Sequence, residues 1–115
     1  SKQKINRYWI ESQNGLLLYS ADKGSARLAG IYELPENLPV ELEDLARDAK
    51  HFATKKRTIG KIDYEEEIFR AEMIPGSRQK IVLPEGYRWV GKSDINTVTL
   101  SGPHRKWIGE IRNQV

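Results

Sequence analysis

The hydrophobic pattern changes period several times along the chain, and each change marks an element. Ile5–Ser12 (INRYWIES) and Leu16–Ala21 (LLLYSA) are rich in aromatic and aliphatic residues and flank Gln13-Asn14-Gly15. Asn and Gly both tolerate positive φ, so the two runs are expected to form a β-hairpin. Residues 21–30 (ADKGSARLAG) are expected as a loop punctuated by Gly24 and Gly30, and Ile31–Pro35 as a short strand stopped by its proline. From Pro39 to Phe52 the period becomes helical: Leu42, Leu45, Ala46, Ala49 and Phe52 fall on one stripe. Acidic Glu41, Glu43 and Asp44 stand at the start of that segment and Lys50 and His51 at its end, which suits the helix dipole. Thr54–Met73 is β-branched and aromatic, and is expected as one long strand or two strands interrupted at Gly60. Ile74–Lys80 reads as a turn and Tyr87–Ile95 as a strand with a polar stop. Ser101–Gln114 reads as a helix with Pro103 in its first turn and Trp107, Ile108 and Ile111 on its inner face. The order β-β-β-α-β-β-α predicts an α+β fold, a mixed sheet packed by helices, with residues 1–115 forming a single domain.

Composition narrows this picture. The chain has 115 residues, of which 38% are hydrophobic, enough for one modest core. With no cysteine, disulfides, thiolate catalysis, cysteine–zinc sites and iron–sulfur ligation are excluded from this segment, which fits a reducing cytosol. The longest aliphatic run, Leu16-Leu17-Leu18, is far short of a membrane span, and the first residues have no apolar signal region. No long apolar seam is visible, which leaves the oligomeric state open; a monomer is the expectation. Ser1 stands where an initiator methionine would, and the chain is therefore expected to be a processed or excised piece of something longer. Lys+Arg exceed Asp+Glu by 19 to 16, a net charge of +3 that permits a nucleic-acid or acidic partner.

Candidate chemistry begins at Gly30 and Glu36, which match the opening of the box G-x5-E-x7-R-E-U-x-E-E-x-G-U used by nucleoside diphosphate hydrolases of the Nudix type (U is aliphatic). In that box glutamates on one helix face hold a divalent metal against a pyrophosphate. The arginine and glutamate should then stand at 44 and 45, where this chain has Asp44 and Leu45, and only Asp48 is acidic at the closing pair 48 and 49. A one-residue gap restores Asp44 and Asp48 but puts Arg47 where a ligand belongs. With ligand charge and number lost, hard-cation binding fails, so no catalytic or metal residue is assigned. The alternative, a free-standing Nudix-type hydrolase of modified nucleotides, requires Glu33, Glu36, Asp44 and Asp48 to converge on a cation. Asp63, Glu65 and Glu67 alternate along a strand and are expected as a solvated sheet face. His51 and His104 have no companion ligands at metal spacing. Lys50, His51, Lys55, Lys56, Arg57 and Lys61 form a basic cluster suited to phosphate, and His104, Arg105 and Lys106 open the last helix, where backbone N–H groups also favour phosphate. Trp9, Trp89 and Trp107 are expected in the core rather than as stacking platforms. A generic protein-interaction domain is the remaining reading.

The ordered set RYWIESQNGLLLYS, ARLAGIYELP and RWVGKSDINTVTLSGPHRKWI resembles the C-terminal domain of A/G-specific adenine DNA glycosylases (the MutY family), from about Tyr8 to Ile111. Tyr32 and Leu34 stand where the family has tryptophan and phenylalanine. The resemblance implies a Nudix-like fold without hydrolase chemistry, forming the C-terminal part of a larger DNA glycosylase and helping it locate 8-oxoguanine opposite adenine in double-stranded DNA during base-excision repair. It implies that excision and an iron–sulfur cluster belong to an N-terminal catalytic domain absent from this sequence, that this domain needs no cofactor, and that it works in the bacterial cytosol at the nucleoid. The family's reading loop, Thr-Phe-Ser-His, corresponds here to Thr58, Ile59, Gly60 and Lys61. Gly60 lacks the serine hydroxyl, so a side-chain contact to the lesion is impossible there, whereas its backbone N–H can still donate. With Arg57 and Lys61 on the DNA backbone, Thr58–Gly60 are implied to approach the lesion pair, and Lys55, Lys56, His104, Arg105 and Lys106 to supply phosphate contacts.

Overall fold

A computed structural model describes residues 1–20, 30–73 and 81–112. Seven strands and two helices are present among them: β1 (Lys2–Ser12), β2 (Gly15–Ser20), β3 (Ile31–Glu33), α1 (Glu43–Asp48), β4 (Lys50–Ile59), β5 (Ile62–Glu72), β6 (Tyr87–Val90), β7 (Thr99–Leu100) and α2 (Gly102–Arg112). The sheet order is β4-β5-β1-β2-β3-β7, with β6 also paired to β2. β1/β5 and β3/β7 are parallel and the remaining pairs antiparallel, so the sheet is mixed and the fold α+β.

The β1–β2 hairpin forms as its Asn-Gly signal predicts, but only Glu11↔Leu16 and Ser12↔Gly15 pair before the strands part. Leu16 pairs with both Glu11 and Val90, and Tyr19 with both Glu33 and Tyr87, so β1 and β3 share one edge of β2 while β6 takes the other. The sheet therefore forks. Leu34 and Pro35, both buried, sit in the fork: the Tyr8 N–H donates to the Pro35 carbonyl at 3.0 Å and the Arg7 guanidinium to the Leu34 carbonyl at 2.8 Å. Backbone groups left unpaired by the divergence are satisfied this way.

Alternation along the strands sends successive residues to opposite faces. Trp9, Leu16, Leu18 and Ile68 pack with Ile108 and Ile111 of α2, whereas Ile10 and Leu17 pack with Leu42 and Leu45. Both faces of the central strands are covered, which is why Leu16-Leu17-Leu18 is continuously apolar. Trp9 and Trp107 are in the core as expected, and Trp89 is half-buried against the α1 side.

Three sequence expectations change. The helix expected to reach Phe52 begins as a 3-10 turn at Val40–Leu42 and ends at Asp48; Ala49 is extended (φ −68°, ψ 139°). Lys50–Phe52 instead open β4, where Lys50 and His51 gain Arg70 and Phe69 as sheet partners, and Phe52 occupies a bulge. Ladder hydrogen bonds and cross-strand packing outweigh the weak preference of a short amphipathic run for helix. The strand expected over Tyr87–Ile95 stops at Val90, and β7 was not foreseen. Most of the expected loop at 21–30 and the whole of the expected turn at 74–80 lie outside the described residues. No described helix is long and apolar enough to cross a membrane.

Candidate nucleic-acid interface

The β4–β5 hairpin carries the residues singled out for DNA contact. Its turn is Gly60-Lys61, with Ile59 paired to Ile62. Gly60 has φ +62° and Lys61 a negative φ, the pattern of a two-residue turn with glycine first. A Cβ on Gly60 would meet nothing within 4 Å, so the tip is open. Thr58, Ile59, Gly60 and Lys61 are all exposed, Ile59 to 54%. At the base of the tip lies a hollow of about 420 Å³ lined by Lys2, Lys56, Arg57, Thr58, Asp63, Tyr64 and Glu65.

Strand alternation divides the basic cluster between two faces. Lys55 and Arg57 point toward α2: Lys55 Nζ donates to Glu110 Oε2 at 2.9 Å, and the Arg57 guanidinium lies between the Tyr64 and Trp107 rings, 5.7 and 5.8 Å from their centroids. Lys56 points the other way with Thr54 and Thr58, across from Glu67, Glu65 and Asp63. Thr58 Oγ1 donates to Asp63 Oδ1 at 2.7 Å, whereas Lys56 is 75% exposed and reaches Glu65 only at 3.9 Å. Lys50 and His51 sit at the far end of the ten-residue strand, on the order of 30 Å from the tip at a strand's usual rise. The expectation of one concentrated basic face is thus corrected: Lys56 and Lys61 are the cations of this segment that reach solvent at and near the tip.

His104 is corrected as well. It is 0% exposed, and its Nδ1 accepts the Leu34 N–H at 3.0 Å, so it faces the fork and cannot meet a phosphate from solvent. Arg105 and Lys106 beside it are exposed. With Nδ1 an acceptor, the ring proton sits on Nε2, which points between Glu66 Oε1 at 3.6 Å and Glu33 Oε2 at 3.7 Å.

That ring belongs to a buried charge cluster. Glu66 is 0% exposed; Arg7 Nε donates to its Oε1 at 2.7 Å, and Arg57 Nε lies 2.9 Å from its Oε2 but off the line of a hydrogen bond. Burial by itself raises the Glu66 carboxyl. The Nε2–H dipole of His104, the Arg7 hydrogen bond and the charges of Arg7 and Arg57 outweigh it and hold Glu66 below its ordinary value of 4.5. Arg57 is therefore fixed from below by a carboxylate and from the sides by rings. Asp63 faces solvent, whereas Glu65 and Glu67 on that same face are half-buried, so the expected solvated face holds fully only at Asp63; Glu66 between them is the acid the core uses. Sequence reasoning missed Arg7 and Glu66 because one strand reads KINRYW and the other EEEIF, with no local signal that marks one charge as internal. The available clue was the phase: Glu66 and Ile68 share a face, as do Arg7 and Trp9.

The carboxylates of the alternative hydrolase are dispersed. Glu33 is held by Arg7 at 3.8 Å and faces His104, and among the described residues no three His, Asp or Glu side chains come together to hold a metal.

No protein-family model and no curated protein matches this chain. Solved structures do. The crystal structure of the complex between the C-terminal domain of mouse MUTYH and human PCNA contains a chain similar to this one, with a TM-score of 0.60, 19% identity and coverage of 96% of this chain and 87% of that one. The solution structure of the E. coli ORF135 protein gives a TM-score of 0.59 and 13% identity over 97% of this chain and 91% of that one. The fold is Nudix-like.

Proposed function

We propose that this chain is a non-catalytic, DNA-repair-related recognition domain, and more specifically the lesion-recognition domain of an A/G-specific adenine glycosylase that helps locate 8-oxoguanine opposite adenine. The observation that carries the reading is the open β4–β5 tip: an uncovered Gly60-Lys61 turn flanked by exposed Thr58 and Ile59, with Lys56 behind it and Arg57 held rigidly at its base. Lys61 and Lys56 supply phosphate charge, and the backbone at Gly60 is free to approach a base closely. Such a domain clamps the duplex while a catalytic domain of the same chain extrudes adenine. The likeness to the mouse MUTYH domain in fold, and the resemblance of the ordered motifs, support the same assignment; that domain's complex with human PCNA also makes a protein partner compatible with this fold. The resemblance implies a cytosolic, nucleoid-associated setting for this reading, and the absence of cysteine fits a reducing cytosol.

Binding of this chain to a duplex bearing one 8-oxoguanine:adenine pair, followed by fluorescence anisotropy at several salt concentrations, tests the proposal. Lys61→Glu is expected to weaken binding and to reduce the salt slope by about 1. An unchanged slope removes Lys61 from the interface, and equal affinity for undamaged duplex removes lesion recognition while leaving DNA binding.

A further inference from the structure

We propose that the outer edge of β4 accepts an extended acidic segment of another protein chain as an added strand, a protein-docking surface that adjoins the DNA-contacting tip and shares Lys56 and Thr58 with it but not Lys61. β4 ends the sheet order and runs for ten residues. Edges of this length present unpaired backbone groups and are normally shortened, covered or broken by proline. Here a bulge at Phe52 interrupts only the far end, leaving Ala53–Ile59 regular.

The phase of the edge follows from the hairpin. Asp63 donates its N–H to the Ser1 carbonyl at 2.8 Å, toward β1 and away from β4. Its antiparallel partner Thr58 therefore directs its own N–H and C=O outward, and so do Lys56 and Thr54 opposite Glu65 and Glu67. Among the described residues, none of these three meets a backbone group beyond the hairpin. They form a run of alternate donors and acceptors with the geometry of strand addition.

Charge chooses the occupant. β4 carries Lys50, Lys55, Lys56 and Arg57 and no Asp or Glu; among the described residues Lys55 pairs with Glu110 of α2, and Lys56 and Arg57 with Glu65 and Glu66 of β5. A second copy pairing β4 against β4 would set lysines opposite lysines and arginines, which is unfavourable across a strand pair. An acidic extended segment has the opposite balance: a carboxylate opposite Lys56 meets a cation that is 75% exposed and only loosely held by Glu65. The flanking Thr54 and Thr58 are β-branched and suit a pleated neighbour.

The test uses an acetylated peptide of about nine residues, long enough for one strand, alternating glutamate with valine. Its N-methylated form, blocked on the bonding edge, and its glutamine form serve as controls. Amide exchange of this chain is followed residue by residue. With about nine-tenths of the chain occupied, exchange of the Thr54, Lys56 and Thr58 amides should slow about tenfold, while Lys55 and Arg57, already bonded to β5, stay unchanged. N-methylation should abolish the protection, and glutamine or Lys56→Glu should weaken binding several-fold. Equal binding by the N-methylated peptide would overturn the proposal in favour of diffuse charge attraction. Protection that grows with protein concentration in the absence of peptide would overturn it in favour of self-association, and protection by duplex DNA at the same three amides would assign the edge to nucleic acid. Lys61→Glu should bind the peptide normally, so failure of the DNA reading and failure of this one are separable.

Discussion

Replacing Glu66 by glutamine keeps the shape of the side chain and removes its charge. In the native chain this carboxylate is wholly enclosed, with Arg7 Nε at 2.7 Å and Arg57 Nε at 2.9 Å. The glutamine leaves Arg7, whose side chain is only 5% exposed, with the more distant Glu33 as its one charged partner, beside the neutral Leu34 carbonyl and glutamine oxygen. Breaking one partner out of a buried ion pair costs about 3–5 kcal/mol, because the remaining charge stays desolvated. Two features place this case at the low end: glutamine still offers one acceptor oxygen, and Arg57 is partly solvated and supported by the Tyr64 and Trp107 rings. A loss of about 3 kcal/mol is therefore expected, a large share of the roughly 5–15 kcal/mol typical of a domain. Urea titration read by the fluorescence of buried Trp9 and Trp107 should show a lower midpoint with an unchanged slope. A loss below about 1 kcal/mol would refute the reasoning, since it would mean that Arg7 finds water or another acceptor as easily as Glu66. The double change Arg7→Met with Glu66→Leu should recover part of the loss, because an apolar pair of similar volume carries no desolvation penalty.

Acid should act through the same residue. Its folded-state pKa is lowered, so the stability it contributes is complete above 4.5 and is lost as pH falls below that value through the folded pKa; Glu66→Gln should show a flatter stability profile there by circular dichroism. Two glycine substitutions should separate packing from backbone strain. Gly15→Ala places a Cβ 2.1 Å from the Val90 carbonyl oxygen at φ +122°, and should disrupt the β2–β6 pairing and leave little folded protein in a thermal melt. Gly60→Ala meets open space and should cost only the left-handed backbone penalty of about 1–2 kcal/mol; a comparable loss in both variants would contradict this packing at Gly15. The Lys61→Glu salt slope and the amide protection along β4 complete the set.

Much of the architecture was legible because it rests on local chemistry. Asn14-Gly15 marked the first hairpin and Trp107, Ile108 and Ile111 the inner face of α2, while Gly60 marked an interruption that left open one long strand or two, and the structure makes it the turn of the β4–β5 hairpin. The segment at 39–52 misled because Phe52 completes a helical stripe in sequence yet packs beside Ala53 on the α2 side of the sheet once β4 pairs with β5. Of the candidate site, Thr58–Lys61 and Lys56 sit exposed at one end of the molecule, whereas Lys55 and Arg57 are drawn toward α2 and His104 inward. Adjacent residues in a strand face opposite ways, so a basic run in sequence is two half-clusters in space.

The sequence alone determined the strand and helix periods, the turn residues and the loss of the metal-binding box, because each depends on residue type and short spacing. Only the tertiary structure decided which charges are internal. Arg7, Glu66 and His104 are separated by 59 and 38 positions and meet because β1 pairs in parallel with β5 and α2 folds over the fork beside β3. Parallel pairing and helix docking are long-range choices set by the burial of both sheet faces, and no local window of residues contains them.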